Sequence, residues 1–391
     1  MKNMIRFSLL IIFFLVIIYE STFAIPAFAR QYKISCQTCH SPIPRLKPYG
    51  NDFAGNGFRL SDQEPSRYYI DTGDEELSLL REFPLAIRLD AFATYKTKDP
   101  NITDLKTPFN LKILSSAAVS ENISYYFYFF LSERGEVAGI EDAYLVYNNL
   151  FDEDIDIYVG QFQVSDPLFK REIRLTYEDY QLYRSTVGQS RINLTYDRGI
   201  MVTMGTDFGT DIMLELVNGT GLAQANDFRN FDEDKYKNFM GRISQDVNDY
   251  LRIGGFVYLG KEELGTAAKF KNDILMFGPD ATLSYLDKLE LNVQYVKRVD
   301  NSPYGPVLVD DDVNTDGFMT ELIYTPEGDE SKWYAVGLYN WVDSDANLLD
   351  YKSLTGHAGY LLRRNVRVFG EYTYNFVAEF GQFTIGVVSA F

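Results

Sequence analysis

Apolar and polar residues alternate along most of the chain, from about residue 84 to the C-terminus. In one such run, Leu291, Val293 and Tyr295 alternate with polar neighbours. A period of two places successive side chains on opposite faces of a β-strand. The alternating windows lie near 84–95, 108–119, 122–132, 138–148, 155–163, 184–195, 197–205, 210–218, 238–247, 250–260, 272–285, 288–298, 316–325, 331–342, 351–363, 365–375 and 379–391. We merge 184–195 and 197–205 into one strand with its preceding loop, and therefore predict about sixteen strands.

The connections between these windows alternate between tight turns and long polar segments. The long segments lie at 96–107, 164–183, 219–237, 261–271, 299–315 and 343–350. Short turns on one side and long loops on the other are typical of an outer-membrane β-barrel with an even strand number and both termini in the periplasm. A soluble β-sandwich is the alternative, but its connections would not alternate regularly between short turns and long loops. We predict an all-β fold, an antiparallel outer-membrane barrel of about sixteen strands over residues 83–391.

Composition agrees with many strands joined by turns. The chain contains 29 Tyr, 29 Phe and 28 Gly but only 13 Pro. This composition favours strands and tight turns. A mean hydropathy of −0.19 excludes a polytopic helical membrane protein. The net charge of −18 argues against a nucleic-acid partner, because phosphate binding requires a basic surface. The last strand ends on Phe391, which resembles the C-terminal signal of bacterial barrel assembly.

Residues 1–24 have the pattern of a secretory signal peptide. Lys2 and Arg6 form a charged start, and the apolar run at 7–18 is too short to span a bilayer. Small-residue cleavage sites follow, after Ala24 or after Ala29, and neither is next to a cysteine that would carry a lipid. We expect the mature protein to be exported.

One motif with specific chemistry follows this signal, Cys36-Gln37-Thr38-Cys39-His40. The pattern C-x-x-C-H attaches a c-type haem, with both thiols bonded to haem vinyl groups and the histidine bound to iron. The chain has two cysteines and two histidines, and this motif holds both cysteines and one of the histidines. A thioredoxin-like pair, a zinc site or a structural disulfide are the alternatives. We predict one haem c, attached through Cys36 and Cys39 and with His40 as proximal ligand.

The haem-binding segment, residues 25–82, is too short to bury much core of its own. We therefore expect this segment to pack against the barrel as a plug. It contains no methionine and no second histidine, so the sixth iron ligand is not supplied locally. His357 lies in the fourteenth predicted strand with lumen-facing parity, roughly 17 Å into the barrel. We keep His357 as a candidate distal ligand, beside a barrel methionine, a lysine or an open position.

The segment Ile25–Arg30, the C-x-x-C-H motif and the Pro- and Gly-rich tail after it resemble the fused monohaem cytochrome–porins. That family includes outer-membrane iron oxidases of iron-oxidising bacteria. The barrel is also similar to phosphate-selective porins, through the motifs at 160–163 and 217–221. The resemblance implies outer-membrane electron transfer, from extracellular Fe(II) through the haem to a soluble periplasmic cytochrome.

Acidic clusters occupy the long loops, at 232–234, at 310–312 with Asp316, and at Asp343, Asp345 and Asp350. Carboxylate oxygens attract Fe²⁺, although a solvated surface bridged by Ca²⁺ or Mg²⁺ gives the same composition. Three functions stay open: an electron conduit with possible Fe(II) oxidase activity, a diffusion porin with a haem-bearing structural or regulatory plug, and a sheath for a separate multihaem cytochrome. Trimeric and monomeric barrels share this patterning, so it does not set the oligomeric state.

Overall fold

The computed structural model describes residues 27–60, 73–74, 84–98, 100–133, 135–137, 139–165, 168–265, 269–305 and 312–391. The expected signal peptide at 1–24 and the start of the haem segment at 25–26 lie outside these ranges. The expected domain boundaries at 24/25 and 82/83 therefore stay predictions. Across the described ranges, no helix has the length and apolar character needed to cross a membrane.

Sixteen antiparallel strands form one closed barrel, in which each strand pairs with its neighbours in the chain and the first pairs with the last. The strands are β1 (Leu85–Lys96), β2 (Ile102–Ala118), β3 (Ile123–Glu133), β4 (Gly139–Tyr147), β5 (Ile155–Gln163), β6 (Tyr196–Gly205), β7 (Thr210–Val217), β8 (Asn238–Asn248), β9 (Leu251–Leu264), β10 (Phe270–Tyr285), β11 (Leu289–Asp300), β12 (Val313–Tyr324), β13 (Trp333–Ser344), β14 (Tyr351–Arg363), β15 (Val366–Asn375) and β16 (Phe380–Ala390). The predicted sixteen-stranded antiparallel barrel is confirmed.

The described residues before the barrel contain three short helices: α1 (Ala27–Tyr32), α2 (Cys36–Cys39) and α3 (Pro48–Gly55). Single 3₁₀ turns occur in the barrel connections, at Leu150–Asp152, Arg171–Ile173, Gln181–Tyr183, Gly328–Glu330 and Asn347–Leu349. We call residues 27–60 the plug, since they pack across the end of the barrel that carries the tight turns.

The two faces of the wall differ as the alternation predicts. Along β14, Ser353, Thr355 and His357 are buried, whereas Leu354 and Tyr360 are about half exposed. Polar side chains therefore point into the lumen, and apolar side chains point outward. This arrangement is that of a barrel whose outer surface contacts lipid.

One predicted segment differs from the structure. β2 begins at Ile102, because the 102–106 stretch pairs with β1 up to Lys96, where a polar loop was expected. Residues 184–195 form no strand and precede β6, as expected from the merging of this window with 197–205 into one strand with its preceding loop. Val187, Ile192 and Leu194 are fully buried, and their alternation serves packing inside the lumen.

The described residues of the connection after β5, 164–165 and 168–195, fold into the lumen, and we call them the inward loop. Many of its buried apolar side chains pack in one core with inward-facing side chains of the wall, while Leu175 packs in a separate cluster with Ile323, Tyr334 and Val336. The loop contributes residues such as Leu182, Tyr183 and Ile192, and the wall contributes Met201, Met240 and Met319. The inward loop therefore fills one side of the lumen and leaves space on the other side.

Candidate functional site

The haem motif lies on α2, a single helical turn at the centre of the plug. The Ser35 hydroxyl accepts a hydrogen bond from the Gln37 amide at 3.3 Å, which caps the turn. Residues three apart share one side of a helical turn, so Cys36 and Cys39 lie on the same side. Both are free thiols. His40 leaves the helix in an extended conformation, and its amide still donates to the Cys36 carbonyl at 2.9 Å.

The ring of His40 is oriented by two carbonyl oxygens. Its Nδ1 lies 2.9 Å from the Pro44 oxygen and 3.3 Å from the Arg45 oxygen, so Nδ1 carries the proton and donates it. This tautomer leaves Nε2 as the nitrogen with a free lone pair. Burial lowers the pKa of His40, and the two carbonyl contacts offset only part of that effect. The imidazole is therefore neutral at pH 7, which is the form that binds iron.

The two thiols differ from those of a redox-active pair. Burial raises the pKa of both Cys36 and Cys39 above the usual value. Thioredoxin-like cysteines work through a thiolate with a lowered pKa, so this environment disfavours that alternative. In the described part of the chain, no three His, Cys, Asp or Glu side chains converge as a metal cage. Two protonated thiols beside a neutral imidazole fit a c-type haem, and the attachment itself stays a prediction.

The plug has a small aromatic core that continues into the barrel wall. Cys39, Phe53 and Phe58 are buried together, and Phe28 stacks on Phe58 with ring centroids 5.3 Å apart. On its other side, Phe58 stacks on Tyr126 of β3 at 5.1 Å. The core of the plug is therefore completed by a side chain of the barrel, as the shortness of the segment led us to expect.

Polar contacts tie the plug to turns around the rim. Arg45 forms an ion pair with Glu290 at the start of β11, and Lys47 forms one with Asp329 between β12 and β13. On the opposite side, the Arg59 guanidinium donates to the Glu121 carbonyl. Asn148, beside the β4–β5 turn, donates to the Gly55 carbonyl at 3.0 Å. These contacts hold the plug across the tight-turn mouth of the barrel.

His357 faces the lumen, and both of its ring nitrogens have hydrogen-bond partners. Nδ1 lies 2.9 Å from the Glu371 carboxylate, and Nε2 lies 3.3 Å from the Tyr334 hydroxyl. The imidazole also stacks on Phe369, with centroids 4.7 Å apart. Ligation of haem iron by His357 stays a prediction, and it would require the Nε2 contact to break.

Glu371 has a structural role that the sequence did not reveal. Its carboxylate accepts hydrogen bonds from the Tyr177 amide at 2.7 Å and from the Glu178 amide at 2.8 Å. Across the lumen, Arg298 donates to the Ser185 and Ile192 carbonyls of the same loop. The inward loop is thus fixed to opposite walls by buried charged groups.

A cavity of about 880 Å³ remains between the inward loop and β1, β2, β3 and β15. Its charged lining includes Arg171, Arg174 and Arg184 of the inward loop, which converge on Asp179. Burial raises the pKa of Asp179, but the three guanidinium groups outweigh burial and hold this pKa well below its usual range. The carboxylate is therefore ionised. The sequence signal for this cluster is a run of arginines inside a long loop, which we did not single out.

The acidic clusters of the long loops are engaged in local contacts. Asp232 pairs with Lys237, Asp316 lies 2.9 Å from the Lys297 amine, and Asp345 accepts a hydrogen bond from the Asn314 amide at 2.8 Å. Residues 310 and 311 lie outside the described ranges. The described carboxylates thus stabilise loop conformations, and binding of Fe²⁺ by these clusters stays a prediction.

Comparison with known proteins shows the fold. No protein-family model matches the chain, and no curated protein matches it. Among solved structures, the anion-selective porin from Comamonas acidovorans aligns with a TM-score of 0.58 at 13% identity, over 79% of this chain and 99% of that chain. A porin refined at 1.8 Å aligns with a TM-score of 0.55 at 14% identity, over 79% and 100%. The outer membrane channel DcaP of Acinetobacter baumannii gives 0.53 at 13% identity, over 79% and 97%. The chain therefore has the fold of a porin.

Proposed function

We propose that this protein is a bacterial outer-membrane channel of the porin type, whose tight-turn mouth is capped by a plug that carries a covalent haem. The observation that carries the channel proposal is the inward loop, which narrows the lumen of a sixteen-stranded barrel and borders a charged cavity of about 880 Å³. The apolar outer face and the solved porins of the same fold support a location in the outer membrane. In that orientation the plug and both termini are periplasmic.

The haem proposal assigns a separate role to each residue of the motif. Cys36 and Cys39 would hold the porphyrin edge, and Nε2 of His40 would bind iron, since Nδ1 is occupied by carbonyl oxygens. When bound, such a group supplies one-electron exchange between ferric and ferrous iron. The rim contacts of Arg45 and Lys47 would keep this centre at the periplasmic end.

Electron transfer is the second candidate function, with extracellular Fe(II) as donor and a soluble periplasmic cytochrome as acceptor. It is favoured by the geometry of the C-x-x-C-H turn, where two carbonyl oxygens accept from Nδ1 of His40 and leave its Nε2 as the nitrogen available to iron. Fe(II) oxidase activity belongs to this candidate alone.

Purified wild-type protein and the Cys36→Ser/Cys39→Ser variant distinguish the two candidates. In planar bilayers the channel proposal expects both proteins to conduct small ions, because the thiols do not line the cavity. Dithionite should produce reduced c-type bands in the wild type only. Absence of conductance in both proteins would reject the channel, and absence of the bands would reject the haem. Anaerobic Fe²⁺ that produces the same bands within seconds would establish the electron-transfer candidate.

A further inference from the structure

A column of four aromatic rings connects the plug with the inner face of the barrel wall. Phe28 stacks on Phe58 with ring centroids 5.3 Å apart, and Phe58 stacks on Tyr126 of β3 at 5.1 Å. Tyr126 stacks in turn on Tyr144, its paired residue on β4, at 5.2 Å. The planes of successive rings differ by 4°, 13° and 20°. The four rings therefore form one nearly parallel stack, to which the plug and the wall each contribute two.

The plug end of this stack belongs to the buried cluster around a cysteine of the C-x-x-C-H motif. Cys39, Phe53 and Phe58 are buried together, and the rings of Phe28 and Tyr126 pack against them. A thioether bond to a haem would be formed by the sulfur of Cys39. Any group bonded to this sulfur is a neighbour of the same rings, because the Cys39 side chain lies within their cluster.

Phe58 is held in a backbone conformation that phenylalanine rarely adopts. Its φ of +61° lies in the left-handed region, which is unfavourable for a residue with a Cβ. The Phe58 amide donates to the Phe53 carbonyl at 2.9 Å, and the Phe58 carbonyl accepts from the Tyr32 hydroxyl at 2.9 Å. Such a conformation persists where several contacts fix the residue. The plug thus holds the Phe58 ring in place against the wall, where it meets Tyr126.

The wall end of the stack is supported by the core of the barrel. Tyr144 contacts Tyr158 of β5, with centroids 5.5 Å apart and planes at 66°. Tyr158 is buried in the core that also contains side chains of the inward loop. Rotation of the Tyr126 ring away from Phe58 would disturb its contact with Tyr144. Tyr126 therefore presents a fixed ring face to the plug.

The neighbouring lumen-facing ring of β3 has different contacts. Tyr128, two residues further along the same face, packs on Phe130 with centroids 5.4 Å apart and lies beside the Lys112 amine. Among the described residues, Tyr128 makes no ring contact with the plug. The stack is thus specific to Tyr126, and Tyr128 serves as a matched position for comparison.

We propose that Tyr126 is a positioning residue for the haem: its ring closes the pocket around Cys39 and excludes water from the haem edge bonded there. This role rests on the proposed haem attachment and deepens it, because the reduction potential then depends on the barrel as well as on the plug. Exclusion of water disfavours the more highly charged ferric state and so raises the potential. The wall thus tunes one-electron exchange at the haem without binding the iron.

The reduction potential of the full-length haem-bearing protein in detergent tests this role. In Tyr126→Leu, which removes the ring but keeps an apolar side chain, the midpoint potential should shift to a lower value because water reaches the haem edge. Tyr126→Phe retains the ring and should keep the wild-type potential. Tyr128→Leu is the matched control on the same face of β3 and should also leave the potential unchanged. A Tyr126→Leu protein with an unchanged potential overturns the proposal.

A second measurement reports on the pocket without a haem. The Cys36→Ser change leaves Cys39 as the only thiol of the chain, and the full-length protein refolded without haem is labelled with a maleimide. We expect labelling to be about tenfold faster in Tyr126→Leu, because two stacked ring contacts are lost, and unchanged in Tyr126→Phe and Tyr128→Leu. In a Phe58→Leu background, Tyr126→Leu should add little, since the two rings act as a pair. Equal labelling with and without the Tyr126 ring shows that this ring does not close the pocket.

The two measurements separate this role from the haem itself. Absence of c-type bands in the wild-type protein rejects the haem, and with it the role of Tyr126. Normal c-type bands, together with equal potentials and equal labelling rates in the wild type and Tyr126→Leu, retain the haem and reject the role of Tyr126. A lower potential and faster labelling in Tyr126→Leu, with both values restored in Tyr126→Phe, support the proposal.

Discussion

Gly57 permits the close approach between the plug and the barrel wall. Its φ of +64° lies in the left-handed region that favours glycine. A Cβ at this position would lie 2.2 Å from Oδ1 of Asn148 and 2.4 Å from Oγ of Ser124. A side chain at this position would strain the backbone and displace the buried Asn148 amide, and both changes would be destabilising. This one residue therefore links the conformation of the plug to its position on the barrel.

Gly57→Ala is expected to weaken the docking of the plug by about 1–3 kcal/mol, from backbone strain and steric overlap combined. Hydrogen exchange of the α2–α3 region measures the effect, and the barrel strands should stay fully protected. Gly55→Ala is the matched control, since among the described residues no atom lies within 4 Å of its added Cβ. Equal exchange in the two variants would show that Gly57 does not set the docking geometry.

At the scale of elements, the strands could be predicted from the sequence, because apolar and polar residues alternate with a period of two along each of them. The lumen-facing parity of His357 could be assigned in the same way. The folding of the inward loop into the lumen could not be predicted from the sequence. Ile192 and Leu194 are buried inside the lumen, and their apolar pattern resembles that of a strand. The contacts of Glu371 with Tyr177 and Glu178 join positions almost two hundred residues apart, and no local pattern encodes them.

The C-x-x-C-H motif is the opposite case, because the haem attachment predicted for it depends on five consecutive residues. The sequence alone identified Cys36, Cys39 and His40 as candidates. The structure adds the carbonyl oxygens that orient His40 and the rim contacts that position the plug. Those contacts depend on turns that are distant in sequence, so they could not be predicted from the motif.

Docking of the plug as an element depends on ion pairs with the rim. Arg45→Glu places a carboxylate against Glu290, and we expect docking to weaken by about 1–2 kcal/mol, since both partners are only partly exposed. The double variant Arg45→Glu/Glu290→Arg should restore most of the protection of the plug from hydrogen exchange. Lys33→Glu changes the charge of the plug equally at an exposed position and should have little effect. Failure of the double variant to restore protection would exclude a direct pairing.

On the scale of the whole molecule, two elements obstruct the lumen at different heights. The inward loop narrows the middle of the barrel, where Glu371 holds it against β15. The plug covers the tight-turn mouth, where Arg45 and Lys47 hold it. In the proposed channel, ions pass both obstructions in turn, so the resistances of the inward loop and the plug add in series.

Series resistance leads to a prediction about conductance in planar bilayers. Glu371→Gln weakens the anchor of the inward loop, and Arg45→Glu weakens that of the plug. We expect each single variant to raise the conductance modestly, because the other obstruction remains. The double variant should exceed the sum of the two single increases. Thr384→Val is the control for a buried polar group on the neighbouring strand β16, and it should conduct as the wild type does. If either single variant alone reached the conductance of the double variant, the other element would not obstruct the path of the ions.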